Sequence, residues 1–437
     1  MRATPYRITL TENQTRPILA EAAAAVGRTR SDMAALLAES SRRLRKLQRL
    51  ENEPITIDGD HVKVTDLSGL IRVDTGLELE VAPKFLGHDT PGWREDFFRI
   101  ASLSQGGRIL PHEEISAGRG ESNDLASLVG RVMVGLFKEE QRRPIRLYGR
   151  RRWNDFEIDG DLDEEAIFLP AEEGFAQEKI ILRRGNRYNE ILAEAARLLV
   201  TEVDDQDVRR QLQRMHGHLS PQHRPQSAAS SPRRVPSRHR RWQQLYDISR
   251  RVVAGFGMDF ELEEAPAPGF VMKTWLAWQD LLLLAIRTGL GGDEVEGQHG
   301  HPFGKRDGKE FSVTPDGTVS NQGVKFLWDA KYKANLERGR RSVSASDVYE
   351  VNAFLEAANV DRVALLYPRL PREPFEEAPP CGRVEVFEKI ELTAGTAYGM
   401  EVEVRGISDR GGFRTFATNI AIGVREALAS TVTAAAA

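Results

Sequence analysis

Residues 310–333 read EFSVTPDGTVSNQGVKFLWDAKYK, and their pattern decides what the second half of the chain is. Glu310 to Thr314 and Val324 to Trp328 are short runs rich in β-branched and aromatic residues, separated by the turn-forming PDG and NQG, which predicts a hairpin. The expectation puts Asp316 at the end of the first strand and Asp329 with Lys331 on the second. Successive strand side chains point to opposite faces, so Asp329 and Lys331 share a face, Ala330 points into the core, and Lys333 returns to the acidic side. Asp316, just past Pro315 at a bend, turns toward them.

Two aspartates, a peptide carbonyl and an ammonium group on one face suit phosphodiester hydrolysis. Mg²⁺ takes carboxylate and carbonyl oxygens, and a bound cation neutralises developing charge and lowers the pKa of an attacking water. The expected ligands are Asp316, Asp329 and the Ala330 carbonyl, with Mn²⁺ substituting for Mg²⁺. Lys331 is expected to orient or help deprotonate the water and to stabilise the transition state as a nearby positive charge. The plain alternative is an acidic turn followed by a charged, partly exposed strand. Context favours the site: Val324, Phe326 and Trp328 lead into the aspartate, a helix over about Ser346 to Ala358 follows, and the apolar strand Arg362 to Tyr367 comes next. With the strongly apolar helix Met272 to Thr288 before them, the order is that of an α/β domain.

Upstream, alanine, leucine and arginine recur at helical spacing from Glu12 to Leu50, broken at Gly27, so one or two helices open the chain. Ile55 to Ile57, His61 to Val64, Gly69 to Val73 and Leu77 to Val81 are expected to form one small antiparallel sheet. Helices follow over Trp93 to Leu103 and Asp124 to Glu140, then an arginine-rich stretch from Gln141 to Asn154, a strand pair around Phe156 and Ile167, and a helix from Tyr188 to Val200. Ser220 to Ser237 is rich in Pro, Ser, Gln and Arg with almost no large apolar residue, which predicts a flexible connection, and a helix at Trp242 to Ala254 lies beyond it. The expected division is 1–90 for N-terminal helices and a small β domain, 91–219 for an α+β region, 220–240 for a basic linker, and 241–437 for the catalytic domain.

A chain of 437 residues with 40% hydrophobic and 29% charged residues folds into two or three cores. Its one cysteine, Cys381, excludes an intrachain disulfide and cysteine-rich zinc modules. The first residues lack the apolar stretch of a signal peptide, and the longest apolar run, Leu281 to Ile286, is too short to span a bilayer, so a cytoplasmic protein without a membrane partner is expected. A net charge of -4 argues against coating DNA by bulk charge, although basic residues cluster in Arg42 to Arg49, Arg142 to Arg152 and Arg233 to Arg241. The glycines of GLGGDEVEG are not followed by Lys-Ser or Lys-Thr, so no phosphate-cradling loop is present. His299 and His301 have a ligand-like spacing without a third ligand nearby and read as a polar loop. Trp275 and Trp278, at helical spacing with Leu281 to Leu284, read as a buried core helix.

From about Asp66 to Pro368 the chain resembles the McrC family, the nuclease subunits of McrBC-type modification-dependent restriction systems. LSGLIRVDTGLELEVAPKF resembles the family's glycine-then-PK segment, with Pro83 and Lys84 in place; LFKEEQRRPIRLYGRRRWNDFEIDGDLD resembles its helix, basic turn and G-x-hydrophobic-D segment; GNRYNEILAEAARLL is similar to its asparagine-led helix, at Asn189; DAKYK, DVYEVNAF and ALLYP carry the most specific part. The resemblance implies an α+β N-terminal adaptor followed by an α/β PD-(D/E)xK restriction-endonuclease-like domain. It implies a DNA endonuclease of an anti-phage complex, switched on by an AAA+ GTPase or ATPase of the McrB kind, a hexameric ring whose hydrolysis it stimulates, with recognition of modified DNA on that partner. The basic cluster matches the part that enters the motor ring, making Arg143, Arg146 and Arg150 the expected docking residues. Two positions depart from the pattern: Gln279 stands where an upstream helix often carries glutamate, and Glu350 where glutamine usually closes a D-x-Y-Q pattern. Lys333, Glu350 and Gln279 are the expected auxiliary residues. Two rivals remain at this point: a stand-alone repair or recombination nuclease, which cuts without partner or nucleotide, and a degenerate nuclease fold that only activates a motor.

Overall fold

The computed structural model describes residues 6–429 except 75, 104–124, 163–171, 204, 220–231, 233, 256–270, 292–294, 322–323, 334, 338–339 and 372–377. Cα proximity groups Ala3–Leu128 with Pro268–Ala437 in one compact unit and Val129–Ala267 in another.

The first unit is built on a six-stranded mixed sheet in the order Val295–Glu296, Gly317–Asn321, Val324–Ala330, Arg362–Pro368, Thr396–Val402, Val384–Glu391. The three middle strands, from Val324 to Val402, run parallel to one another and both edges are antiparallel. Strict alternation sorts their side chains. Phe326, Trp328, Ala364, Leu366, Met400 and Val402 enter one core with the helices Thr274–Leu290 and Gly412–Ala429. Leu327, Val363, Leu365, Tyr367 and Ala397 enter another with the helix Ala345–Ala358. Strands covered on both faces read as near-continuous apolar runs, which is how Arg362 to Tyr367 reads. Each large side chain buried this way contributes about 1.5–3 kcal/mol.

Helix ends follow local chemistry. Ser344 caps Ala345–Ala358 by accepting from the Asp347 amide, and Asn359, at φ 52°, stops it in the left-handed conformation. Gly289 lets two helices touch: a Cβ there would stand 2.8 Å from Cβ of Ala421. On Thr274–Leu290, Trp278 is fully buried as expected, whereas Trp275 is 40% exposed.

Three expectations are corrected in this unit. Lys309–Val313 pairs with His301–Arg306 as a separate hairpin, and the strand facing Val324–Ala330 is Gly317–Asn321, so Asp316 precedes its strand instead of ending one. The PDG reads as a turn by composition, but its glycine is the first rung of the ladder. The small N-terminal sheet is two: Ile55–Asp58 and His61–Val64 join Thr15–Pro17, while Leu67–Asp74 and Leu77–Ala82 join Tyr6–Thr11 and the distant Val271–Lys273. Pairings and core contacts in this unit also reach far along the chain. Val271 pairs with Gly69, and Phe85, Trp93 and Phe97 lie in the same core as Trp278 and Phe416, because their apolar faces are covered by residues from about two hundred to more than three hundred positions away. The chain also opens on the strands Tyr6–Thr11 and Thr15–Pro17 and not on a helix from Glu12; the helices Leu19–Ala25 and Arg30–Gln48 follow them and separate at Gly27 as expected.

The second unit holds the helices Arg187–Val200, Gln206–Leu219 and Gln243–Gly255 and a three-stranded sheet of Leu147–Asp155, Phe175–Arg183 and Asp161–Leu162. Asn186 opens the first of these helices by accepting from the Tyr188 and Asn189 amides, and buried Asn189 donates to the carbonyls of Ile145 and Arg184. The arginine-rich stretch thus forms most of a strand; Phe156 follows it, and Ile167 lies outside the described residues. Most of the stretch Ser220 to Ser237 also lies outside them.

Candidate active site

The hairpin register places the acids. Gly317 pairs with Trp328, so the next rung outward sets Asp316 opposite Asp329. A thirteen-residue separation is what that rung requires. The Asp316 amide donates to Asp329 Oδ1 at 3.3 Å, and the Ala330 amide donates to Asp316 Oδ2 at 2.8 Å. Gly317 permits the close packing: a Cβ there would stand 2.8 Å from the Glu296 carbonyl oxygen. The cluster sits at the carboxyl ends of the parallel strands Val324–Ala330 and Arg362–Pro368, where open α/β sheets leave a crevice for ligands.

Asp329 and Lys331 share a face as alternation requires, and Ala330 packs against the core on the other side. The Lys331 amide donates to the Leu366 carbonyl at 3.0 Å, prolonging the sheet by one residue. Its Nζ lies 2.8 Å from Asp329, 3.3 Å from Asp347 and 2.6 Å from Glu350. Burial pushes the Asp329 carboxyl up to about 6, and it also raises Asp316. Burial alone lowers the pKa of Lys331, but the facing carboxylates of Asp329 and Glu350 outweigh it and hold the ammonium above the ordinary lysine range. Lys331 is therefore a fixed positive charge, and the geometry favours that role over proton abstraction.

The auxiliary residues divide. Gln279 reaches the cluster and donates its amide to Asp316 Oδ1, as does Gln298 at 3.2 Å. Glu350 reaches Lys331 and not the aspartates. Lys333 does not join; it is largely exposed and pairs with Asp66 at 3.7 Å, because the strand ends at Ala330 and alternation lapses beyond it. The residue between them, Tyr332, is buried and donates its hydroxyl to Glu12, while Lys84 donates to the Tyr332 carbonyl and lies 3.9 Å from its ring. Burial raises Glu12 to about 7 and lowers Lys84 to about 8. The Pro83-Lys84 segment thus holds the chain immediately after the catalytic candidates.

Sequence reasoning assigned no role to Asp347, Gln298 or Tyr367. Asp347 stands there only as the first residue of the D-x-Y-Q pattern, and Tyr367 only within ALLYP. In the fold Asp347 Oδ2 accepts from Ser344 at 2.7 Å and from the Tyr367 hydroxyl at 3.3 Å, leaving Oδ1 to face Lys331. His299 and His301 stack edge-on at 5.3 Å, and among the described residues no three His, Cys, Asp or Glu side chains form a metal-holding group. Of the docking candidates, Arg143, Arg146 and Arg150 are exposed, and Arg150 is paired with Glu178 at 3.1 Å.

Because Glu350 meets the cluster only through Lys331, Glu350→Gln is expected to retain function within a few-fold, its amide oxygen still accepting from the ammonium. A variant that binds substrate but loses all turnover would instead make Glu350 a metal ligand.

A family model described as McrBC 5-methylcytosine restriction system component matches residues 62–368. No curated protein matches. Among solved structures, a chain in the refined half-complex from a tetradecameric assembly of Thermococcus gammatolerans McrB AAA+ hexamers with bound McrC is similar in fold. Its TM-score is 0.69 at 13% identity, covering 95% of this chain and 99% of that one. A chain in the cryo-EM structure of the Thermococcus gammatolerans McrBC complex gives 0.50 at 16% identity, covering 65% and 88%.

Proposed function

This chain belongs to the McrBC family of restriction-system components, and we propose that it is the family's DNA-cutting subunit, a PD-(D/E)xK endonuclease that works with an AAA+ partner of the McrB kind. The observation that carries the nuclease reading is the Asp316–Asp329 rung with Lys331 beside it at the carboxyl end of a parallel strand. Support for the partner comes from the fold likeness to a chain of an assembly of McrB AAA+ hexamers with bound McrC.

The donors suit a hard cation: two carboxylates facing each other and the Ala330 carbonyl, with water completing the shell, which is the ligand set Mg²⁺ prefers. Asp316, Asp329 and Ala330 would hold it, and bound there it would supply an activated water and charge neutralisation. The protein's own residues do the rest. Gln279, Gln298 and the Ala330 amide fix Asp316 in orientation. Asp347 and Glu350 hold Lys331 when Asp329 is engaged elsewhere, so its positive charge stays beside the phosphate as negative charge builds on the oxygens.

Mg²⁺ or Mn²⁺ is expected to support cleavage and Ca²⁺ only binding, since Ca²⁺ takes longer, looser coordination. Binding needs ionised aspartates. With Asp329 raised to about 6, the affinity for Mn²⁺ should fall about tenfold per pH unit below that value for each competing proton. In the metal-free protein the sign is the usual one for a raised acid: stability is greatest below the unfolded value near 4 and declines as pH rises through about 6. Titration calorimetry with Mn²⁺ from pH 5 to 8 is the measurement, and an affinity flat across that range would count against these ligands.

A further inference from the structure

The hairpin of His301–Arg306 and Lys309–Val313 adds no described contact to the carboxylate cluster, yet it leads straight into it. Its root is fixed, for Val313 packs against the core that holds Val351 and Phe354, and only Thr314 and Pro315 separate it from Asp316. Its tip is a two-residue Asp307-Gly308 turn with φ of 52° and 77°, the geometry that matches the twist of paired strands. Phe311 lies across Gly304, where a Cβ would stand 2.9 Å from its ring, and it meets Phe303 edge-on at 5.7 Å. Phe303 and Phe311 are 40% and 43% exposed, so a preformed ribbon turns an aromatic face to solvent.

The last rung of this ribbon pairs Arg306 with Lys309. Like charges directly opposite on a hairpin destabilise it. Arg306, Lys309 and the adjacent Lys305 are exposed, and none has an ion-pair partner among the described residues. Arg150 and Arg152 of the other unit contrast with them, since Glu178 pairs with both. The next rung sets Lys305 opposite Glu310 and Asp307 lies in the turn, but the Arg306–Lys309 rung itself is left like-charged. A sequence that breaks a local rule in this way points to compensation from outside, here by an anion.

We propose that this ribbon is a DNA-binding arm, with Arg306, Lys309 and Lys305 taking backbone phosphates of the duplex that is cut at the Asp316–Asp329 site; the proposal rests on the nuclease reading. Four strand steps of about 3.3 Å separate Lys309 from Val313, so the tip lies about 13 Å along the ribbon from the root. That is roughly four phosphate spacings along one strand. A two-stranded ribbon fits the major groove of duplex DNA, and Phe303 and Phe311 give it an apolar face for thymine methyl groups.

The test uses the full chain carrying Asp329→Asn, which prevents cutting, without its partner so that the partner's own DNA contacts do not mask the effect. Fluorescence anisotropy with a labelled duplex is read over a series of salt concentrations. Adding Arg306→Gln and Lys309→Gln is expected to weaken binding on the order of tenfold and to reduce the salt slope by about 2, roughly one unit for each phosphate no longer neutralised. The melting temperature should hold or rise, because the like-charge rung is gone. The exchange Arg306→Lys with Lys309→Arg keeps the charges and should bind like the parent, which separates charge from folding. Unchanged affinity and slope in the double glutamine variant overturn the arm, as does absence of any binding by the parent at low salt. Unchanged DNA binding with reduced stimulation of the partner's nucleotide turnover would make the ribbon a protein contact and also overturn it. A chain that never cuts under any metal in the reconstituted complex would sink the nuclease reading, while the anisotropy result still decides the arm.

Discussion

Asp329→Asn is expected to lower DNA cleavage on the order of 10³-fold or more without lowering the melting temperature of the metal-free protein. The two halves of this expectation have one cause. Asp329 is only 6% exposed and faces Asp316 across a hairpin rung, so the fold holds a charge that burial resists, as its value of about 6 records. Asparagine keeps the shape and one acceptor, the oxygen toward the Asp316 amide, while its NH2 replaces the oxygen beside the Lys331 ammonium and the charge that a hard cation needs is gone. Lys331 keeps Asp347 and Glu350 as partners, so no buried ammonium is left alone. Asp316→Ala and Lys331→Ala should also abolish cleavage, the first by removing the facing ligand and the second by removing the fixed positive charge. A plasmid-nicking assay beside thermal melts separates the outcomes. Asp329→Asn that cuts at the wild-type rate takes Asp329 out of the site, and a large fall in melting temperature would make the residue structural.

The purified chain is expected to cut DNA poorly, and an AAA+ partner with its nucleotide should raise cleavage by orders of magnitude. A chain with no phosphate-cradling loop drives no translocation of its own, and a net charge of -4 draws a polyanion weakly. Arg143, Arg146 and Arg150 stand exposed on or beside the strand Leu147–Asp155. Charge reversal there, as in Arg143→Glu with Arg146→Glu, should depress stimulation of the partner's hydrolysis while leaving metal binding at the aspartates intact. Arg150 is expected to matter less singly, because it already has an acidic neighbour in Glu178, which it shares with Arg152. Nucleotide turnover and DNA cleavage, measured with and without this chain, decide the matter. Turnover that ignores the chain, together with vigorous cleavage by the chain alone, would favour the stand-alone nuclease.

Some of the site was legible because local rules reach it. Strand alternation alone puts Asp329 and Lys331 on one face and Ala330 in the core, and helical periodicity finds the helices Thr274–Leu290 and Ala345–Ala358 to within two residues at each end. Errors arose where two local rules competed. Lys309–Val313 and Gly317–Asn321 both carry strand residues, and only the pairing partners, Lys309–Val313 with His301–Arg306 and Gly317–Asn321 with Val324–Ala330, distinguish a separate ribbon from the rung that sets Asp316 against Asp329. Lys333 was misplaced because alternation holds only while the strand lasts.

The sequence by itself determined the residue types on the acidic face, the helix and strand periods around them, and the family, all of which depend on neighbours within a few positions. Only the tertiary structure decided that Asp347, Glu350 and Gln298 complete the surroundings of Lys331 and Asp316, that Glu12 and Lys84 hold Tyr332, and that Val271–Lys273 closes onto Leu67–Asp74. Those contacts join residues from sixteen to more than three hundred positions apart, and no local period carries information across such a gap. They are chosen by which apolar faces can cover one another, and the polar groups meet where that packing leaves them.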